Sequence, residues 1–155
     1  MNEKITTIVL NYAGFWRRAG ASFIDAILLM ILGKILEVVL IGNIDDYFIE
    51  DPEFIMWGSL LWSFSVYFLS TTILGWLYFA LMESSDKQGT LGKMAFNIKV
   101  TDLNGNKISF GRATGRTFGK FLSMIILGVG YLMAGWTKRK QALHDMMADC
   151  LVIKN

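Results

Sequence analysis

The chain has 155 residues, 54% of them hydrophobic and 18% charged, with a formal net charge of +2 and a mean hydropathy of +0.44. That length holds one compact domain, and a lone cysteine, Cys150, excludes an internal disulfide. A soluble domain carries about a quarter charged residues; here the apolar excess comes in blocks, which points to a lipid bilayer and not to nucleic acid as the partner.

Residues 1–13 read as a short N-terminal cytoplasmic segment and residues 14–154 as a single membrane domain. The A-x-A at residues 19–21 precedes the apolar run instead of following it, so cleavage there is not expected. The first apolar block, residues 19–41, is interrupted by Asp25, Lys34 and Glu37 and is long enough to cross the hydrocarbon core as a helix. Lys34 and Glu37 are three apart and can pair, although snorkelling of Lys34 costs less. The second block, residues 54–82, has no charge at all and carries Trp57, Trp62, Tyr67, Trp76 and Tyr78, as suits a tilted span with interfacial aromatics.

Charge asymmetry orients these spans. The link at residues 42–53 holds five acids and no base, whereas residues 83–120 hold seven bases against three acids. By the bias of Lys and Arg toward the cytoplasm, the N-terminus and residues 83–120 lie inside and the acidic link outside. Within the basic segment, residues 96–110 predict a β-hairpin. Phe96, Ile98 and Val100 alternate with polar residues, and Asn104-Gly105 suits a two-residue turn. An isolated hairpin is marginal in water, so residues 150–154 are expected to add a third strand. The third apolar block, residues 118–136, is short and contains Gly128, Gly130 and Gly135. A re-entrant hairpin bent near Gly128–Gly130 keeps the last strand beside the cytoplasmic hairpin; a third full span is the alternative. The fold class is therefore α-helical and membrane-embedded, with two full spans, this third glycine-broken segment and a small cytoplasmic β-sheet.

Three groups of residues could carry chemistry. Arg18 and Asp25, two helical turns apart, share a face, but Arg18 leans toward the cytoplasm and leaves Asp25 needing another partner. Gly111, Gly115 and Gly119 form a small-residue stripe through which a helix can pack, and Arg112, Arg116 and Lys120 run beside it. That helix could deliver Arg116 to Asp25, or lay its basic row on anionic headgroups. His144 adjoins Asp145, and Asp149 follows one turn later, so this face could receive Arg18. One histidine and no cysteine cluster are too few for a metal site, so no metal or cofactor is expected. GTLGK, residues 89–93, is not a phosphate loop: Lys87 stands where that loop needs glycine and Met94 where it needs Ser or Thr. Its glycines are expected to shape a turn.

Taken in order, FWRRAGASFID, GTLGKMAFNIKVTDLNGNKISFGRATGR and KRKQALHDMMADCLVIK resemble the RDD family of multi-pass prokaryotic membrane proteins, over residues 14–154. By position, the name-giving arginine and aspartates are Arg18, Asp25 and Asp145, while Gly92, Lys93, Arg116 and His144 fall at other typical positions. Asp149-Cys150 departs from a pattern that often has Gly-Thr there. The resemblance implies an integral protein of the prokaryotic inner membrane, the cell membrane, with proton-coupled cation transport among the suggested functions and no known enzyme activity.

Three readings follow, the weakest being a membrane enzyme acting through His144 and Asp145. In the first, Asp25 is an ion or proton ligand with Arg18 or Arg116 as counter-charge, and Asp145 completes the site. Two spans and a short hairpin are too little protein to enclose a polar path, so that transporter is expected to be a homo-oligomer. In the second, the protein is a non-catalytic assembly or lipid-interacting protein whose charge network, supported by Lys93, Arg112, His144 and Asp149, holds the fold. No catalytic residue is assigned, because no nucleophile and base stand at a readable spacing. The partners expected are the bilayer and anionic headgroups on its cytoplasmic face.

Overall fold

The structure is a computed structural model that describes residues 11–41, 52–126 and 128–155. The first ten residues, assigned above to the N-terminal cytoplasmic segment, and most of the acidic link lie outside the described residues. Two long helices dominate: α1, Phe15–Ile41, and α2, Pro52–Ser84. At 1.5 Å per residue they are about 40 and 50 Å long. They run antiparallel: Asp25 meets Tyr78, Leu29 lies beside Gly75, and Gly33 sits against Thr71. Among the described residues, Leu60–Ser84 of α2 is one stretch long and apolar enough to cross a membrane.

The polarity of the pair is inverted. Phe23, Met30 and Val38 on α1, and Trp62, Phe64 and Leu69 on α2, are each more than 60% exposed. By contrast Asp25, Glu83, Lys93, Arg116 and Asp145 are buried. Soluble monomers do not display apolar surface on this scale. In lipid the arrangement is the cheap one, because exposed apolar groups meet acyl chains and charged groups meet each other.

After α2 the chain makes the short helix α3, Leu91–Ala95, then β1, Ile98–Asp102. Helix α4, Phe110–Ile125, follows, then α5, Val129–Leu132, a 3₁₀ turn, α6, Leu143–Met147, and β2, Cys150–Lys154. β1 and β2 pair antiparallel, from Ile98 opposite Lys154 to Asp102 opposite Cys150. On the far edge of β2, Tyr12 bridges Ile153, Ala13 N–H donates to the Val152 carbonyl and Lys154 N–H to that of Asn11. The segment just before α1 therefore occupies the third position of the sheet. Beneath it Ile98, Val100, Ile108 and Val152 form the apolar core with Ala13, Ala21 and Ala80.

The predicted hairpin at residues 96–110 does not form. Its turn does: Gly105 has φ +88°, and the Asp102 carboxylate accepts the N–H groups of Asn104 and Asn106, each at 2.8 Å. The return strand is lost to helix initiation. Ser109 accepts from Arg112 N–H at 3.3 Å and caps α4 one residue before Phe110. β1 is instead completed by β2, with Val100 N–H also donating to the Gln88 carbonyl at 2.6 Å.

Helix α4 and the segment Val129–Gly135 meet at 116°. Gly128, at φ +76°, supplies the bend that was expected there. Gly130 lets α5 fold back on α4, since a Cβ at that position would fall 2.7 Å from Ser123 Cβ. The glycine stripe works differently from expectation. Gly111 and Gly115 face open space, and Gly119 alone makes a close approach, to His144 of α6 rather than to α1.

The tightest helix contact joins α1 to α3. A Cβ on Gly92 would lie 2.1 Å from the carbonyl oxygen of Ala21. Backbone cannot yield cheaply, so Gly92→Ala should destabilise the protein by about 1–3 kcal/mol. Gly111→Ala, in open space on a helix, should be neutral or gain up to about 1 kcal/mol. Thermal melts in detergent compare the two, and equal melting temperatures would refute this account of the α1–α3 contact.

Candidate functional site

Two polar clusters lie at the junction of the long helices and the sheet. The first surrounds Asp25, 1% exposed, in the second turn beyond Arg18. Its Oδ1 accepts from the Tyr78 hydroxyl and from Gly92 N–H, both at 2.8 Å, and its Oδ2 accepts from the Thr90 hydroxyl at 2.6 Å. Thr90 is also the N-cap of α3, accepting from Lys93 N–H at 3.3 Å, while Tyr78 Oη accepts from Leu91 N–H at 3.0 Å. Asp25 thus ties α2 and the start of α3 to α1. GTLGK shapes a turn, as its glycines suggested, and that turn presents Thr90 and Gly92 to this carboxylate.

Arg116 does not reach Asp25, contrary to the pairing considered from sequence. It is drawn elsewhere by two carboxylates. Arg116 Nη1 lies 2.5 Å from Glu83 Oε2, and its Nε donates to Asp145 Oδ1 at 2.8 Å. Lys93 Nζ holds the other oxygen of Glu83 at 2.7 Å, with Lys120 Nζ 3.6 Å from it. Arg18 closes the chain by binding Asp145 Oδ2 through Nη1, and its Nε donates to the Ala13 carbonyl at 3.0 Å. The result is a line of alternating charge, Lys93–Glu83–Arg116–Asp145–Arg18, supplied by α1, α2, α3, α4 and α6.

Of the residues singled out from sequence, Arg18, Lys93, Arg116, His144 and Asp145 gather here, and Asp25 stands in its own cluster. Arg112 and Asp149 are exposed and make no ion pair among the described residues. Asp149 serves the backbone instead: its φ of +49° lets the chain leave α6 for β2, a conformation that glycine or Asp tolerates. Lys34 and Glu37 do pair, at 3.0 Å on an exposed face. Sequence reasoning missed Glu83, Tyr78 and Thr90. Glu83 left a signal, as the first charge after a long uncharged block.

Electrostatics follows the geometry. Burial alone would raise the Asp145 carboxyl, but Arg116 and Arg18 outweigh it and hold the group well below the usual carboxylate range. Burial pushes His144 down to about 3, against the pull of Asp145 and with help from Arg116 and Lys120. His144 is therefore neutral at physiological pH. Its Nδ1 lies 3.3 Å from Ser123 Oγ, which donates to the Gly119 carbonyl at 2.9 Å. Serine, histidine and aspartate stand in line, yet the hydroxyl is spent on the backbone and the carboxylate on two arginines. That is not the arrangement of an activated nucleophile. No group of three or more metal-binding side chains occurs among the described residues.

The sequence profile described as "RDD family" matches residues 12–149. YxaI of Bacillus subtilis (strain 168), described as an uncharacterized protein, is 33% identical over 148 residues, 91% of this chain and 96% of its own. YteJ of the same organism, described as an uncharacterized membrane protein, is 31% identical over 144 residues, 92% of this chain and 80% of its own. No solved structure matches.

The depressed His144 carries a pH dependence. The unfolded chain takes up a proton near pH 6.5, whereas the fold refuses it until about 3. Stability present above pH 6.5 should therefore be lost as the pH falls toward 3, by at most about 1.4 kcal/mol per pH unit from this group. Asp145 adds a loss only below about pH 3.8. Melts at pH 7.5, 6 and 5 should show a falling midpoint that His144→Gln flattens; a slope unchanged by that substitution would remove His144 as its source.

Proposed function

The chain belongs to the RDD family of membrane proteins, and on that footing we propose that it is a non-catalytic lipid-interacting or assembly protein whose buried charges hold the fold. One observation carries this reading: every buried carboxylate among the described residues is already committed. Asp25 takes three hydrogen bonds from neutral donors, and Glu83 and Asp145 face four cationic side chains. A cation passing through would have to displace a guanidinium, an ammonium or a helix cap, each held by a charge-assisted bond. The competing reading, proton-coupled cation transport through Asp25, needs a carboxylate with spare coordination, whereas Asp25 is already held by Tyr78, Thr90 and Gly92.

In this reading α1 and α2 both cross the cytoplasmic membrane of a prokaryotic cell, with the acidic link outside. The sheet supports a re-entrant third segment. β1 precedes α4, β2 follows α6, and the two pair directly, so the chain between them leaves and returns to one face. Arg17, Arg112, Lys138 and Arg139 are exposed and suit anionic headgroups on the cytoplasmic side. One copy encloses the whole charge line, so the homo-oligomer that a transport path demanded is not needed for it.

Two measurements test the reading. Purified protein in liposomes loaded with pH- and cation-sensitive dyes should give no flux above empty liposomes under Na⁺, K⁺ or proton gradients. A flux that disappears in Asp25→Asn would overturn the proposal in favour of transport. For topology, Asn155→Cys should resist a membrane-impermeant thiol reagent applied outside intact cells, against a low background because Cys150 is fully buried. Strong labelling would establish a third full crossing.

A further inference from the structure

The charge line does not fill the space around it. A cavity of about 540 Å³ lies beside it, and its wall includes Arg18, Lys93, Arg116, Lys120 and His144. These are all four cations of the network plus a neutral imidazole, while neither Glu83 nor Asp145 contributes to the wall. Glu83 and Asp145 are engaged by these same side chains. Two further facts mark unused donor capacity. Arg18 Nη2 is buried without a hydrogen-bond partner among the described residues. Lys120 Nζ is only loosely held, 3.6 Å from Glu83 and 3.5 Å above the centre of the Phe79 ring.

The rest of the wall is apolar, including Phe15, Ala26, Leu29 and Met124. Lys120, Phe79, Met124 and Tyr131 also line a second hollow of about 270 Å³ between α2 and α4. That hollow is bounded by Phe68 and Phe121, both on the lipid-facing side and exposed. A largely apolar chamber with four cationic residues in its wall thus adjoins an apolar trough that opens toward acyl chains.

We propose that this pair of hollows is a binding site for one anionic phospholipid, its phosphate among Arg18, Lys120 and Arg116 and an acyl chain along the trough between α2 and α4. The assignment rests on the lipid-interacting reading above and makes it specific. Four cations against two carboxylates leave the site short of negative charge, and a phosphate monoanion or dianion supplies it with charge-assisted bonds that Arg18 Nη2 lacks at present. The volume suits a headgroup, being within the range of roughly 300–1,000 Å³ typical of small-molecule sites. A zwitterionic headgroup would bring its ammonium into the same cationic chamber and should be rejected.

The test is native mass spectrometry of the full-length protein in detergent, titrated with phosphatidylglycerol, phosphatidylcholine or inorganic phosphate. One phosphatidylglycerol should be retained per chain, about tenfold more tightly than phosphatidylcholine, a difference equal to roughly 1.4 kcal/mol. Lys120→Met should abolish the preference and Lys120→Arg should keep it. Should Lys120→Met fail to fold, Met124→Trp fills the shared wall without changing charge and should block retention. Equal retention of the two lipids overturns the site. Displacement of the lipid by millimolar inorganic phosphate alone overturns the lipid assignment in favour of a free-phosphate site. Neither result bears on the liposome flux measurement, so failure of this site and failure of the structural reading are distinguishable.

Discussion

Arg116 is the group on which the rest depends. It is 2% exposed, it comes from a helix that bends back within the membrane domain, and it cannot shed its charge. A guanidinium in that position is tolerable only if its donors are met by carboxylates brought to it. Glu83 arrives from the end of α2 and Asp145 from α6, each presenting an oxygen to a different edge of the fork. Those carboxylates have second oxygens, and these recruit Lys93 from α3 and Arg18 from α1. The need to neutralise one buried charge therefore joins five helices. A hydrophobic contact could not do this in lipid, where apolar surfaces gain little by leaving the tails for each other.

The two aspartates of the family pattern turn out to solve different problems. Asp145 answers charge with charge. Asp25 answers the Gly92 N–H at the start of α3, with a hydroxyl from Thr90 and another from Tyr78 completing its shell. This explains why Gly92 has no room for a side chain: the α3 backbone must approach α1 closely enough for its own N–H to reach the carboxylate. It also explains why α3 needs no packing energy of its own. Five residues make a marginal helix, and here its early donors are held by Tyr78 of α2, Asp25 of α1 and its own cap Thr90.

Much of this was legible in the residues, and the rest was hidden for physical reasons. The long helices announced themselves by apolar length, the bend after α4 by Gly128 and Gly130, and β1 by its alternation. Arg18, Arg116 and Asp145 were identifiable as a network because charges in an apolar chain must find one another. Their partners were not, because a charge in a sequence states a demand without stating who meets it. Arg116 could have served Asp25 equally well on paper; what decided otherwise was Glu83, whose position at the close of α2 made it look like the first loop residue. The hairpin failed for a local reason: Ser109 makes a better helix cap than a strand residue, and a cap competes within its own few residues while a strand must wait for a partner.

The sign of the buried network is what separates structural from transport roles. An ion path for a cation needs carboxylate oxygens or carbonyls with spare coordination, and it needs them in contact with water at some stage of a cycle. In this protein the oxygens of Glu83 and Asp145 are engaged by cations, and a hollow beside the network has Arg18, Lys93, Arg116 and Lys120 in its wall. A Coulomb field of that sign repels a cation from the charge line, and it does so at low dielectric, where the repulsion is several-fold stronger than in water. The same field attracts anions. A domain whose outer surface is apolar, and whose inner cavity has cationic residues in its wall, offers the two features that the proposed anionic phospholipid would use.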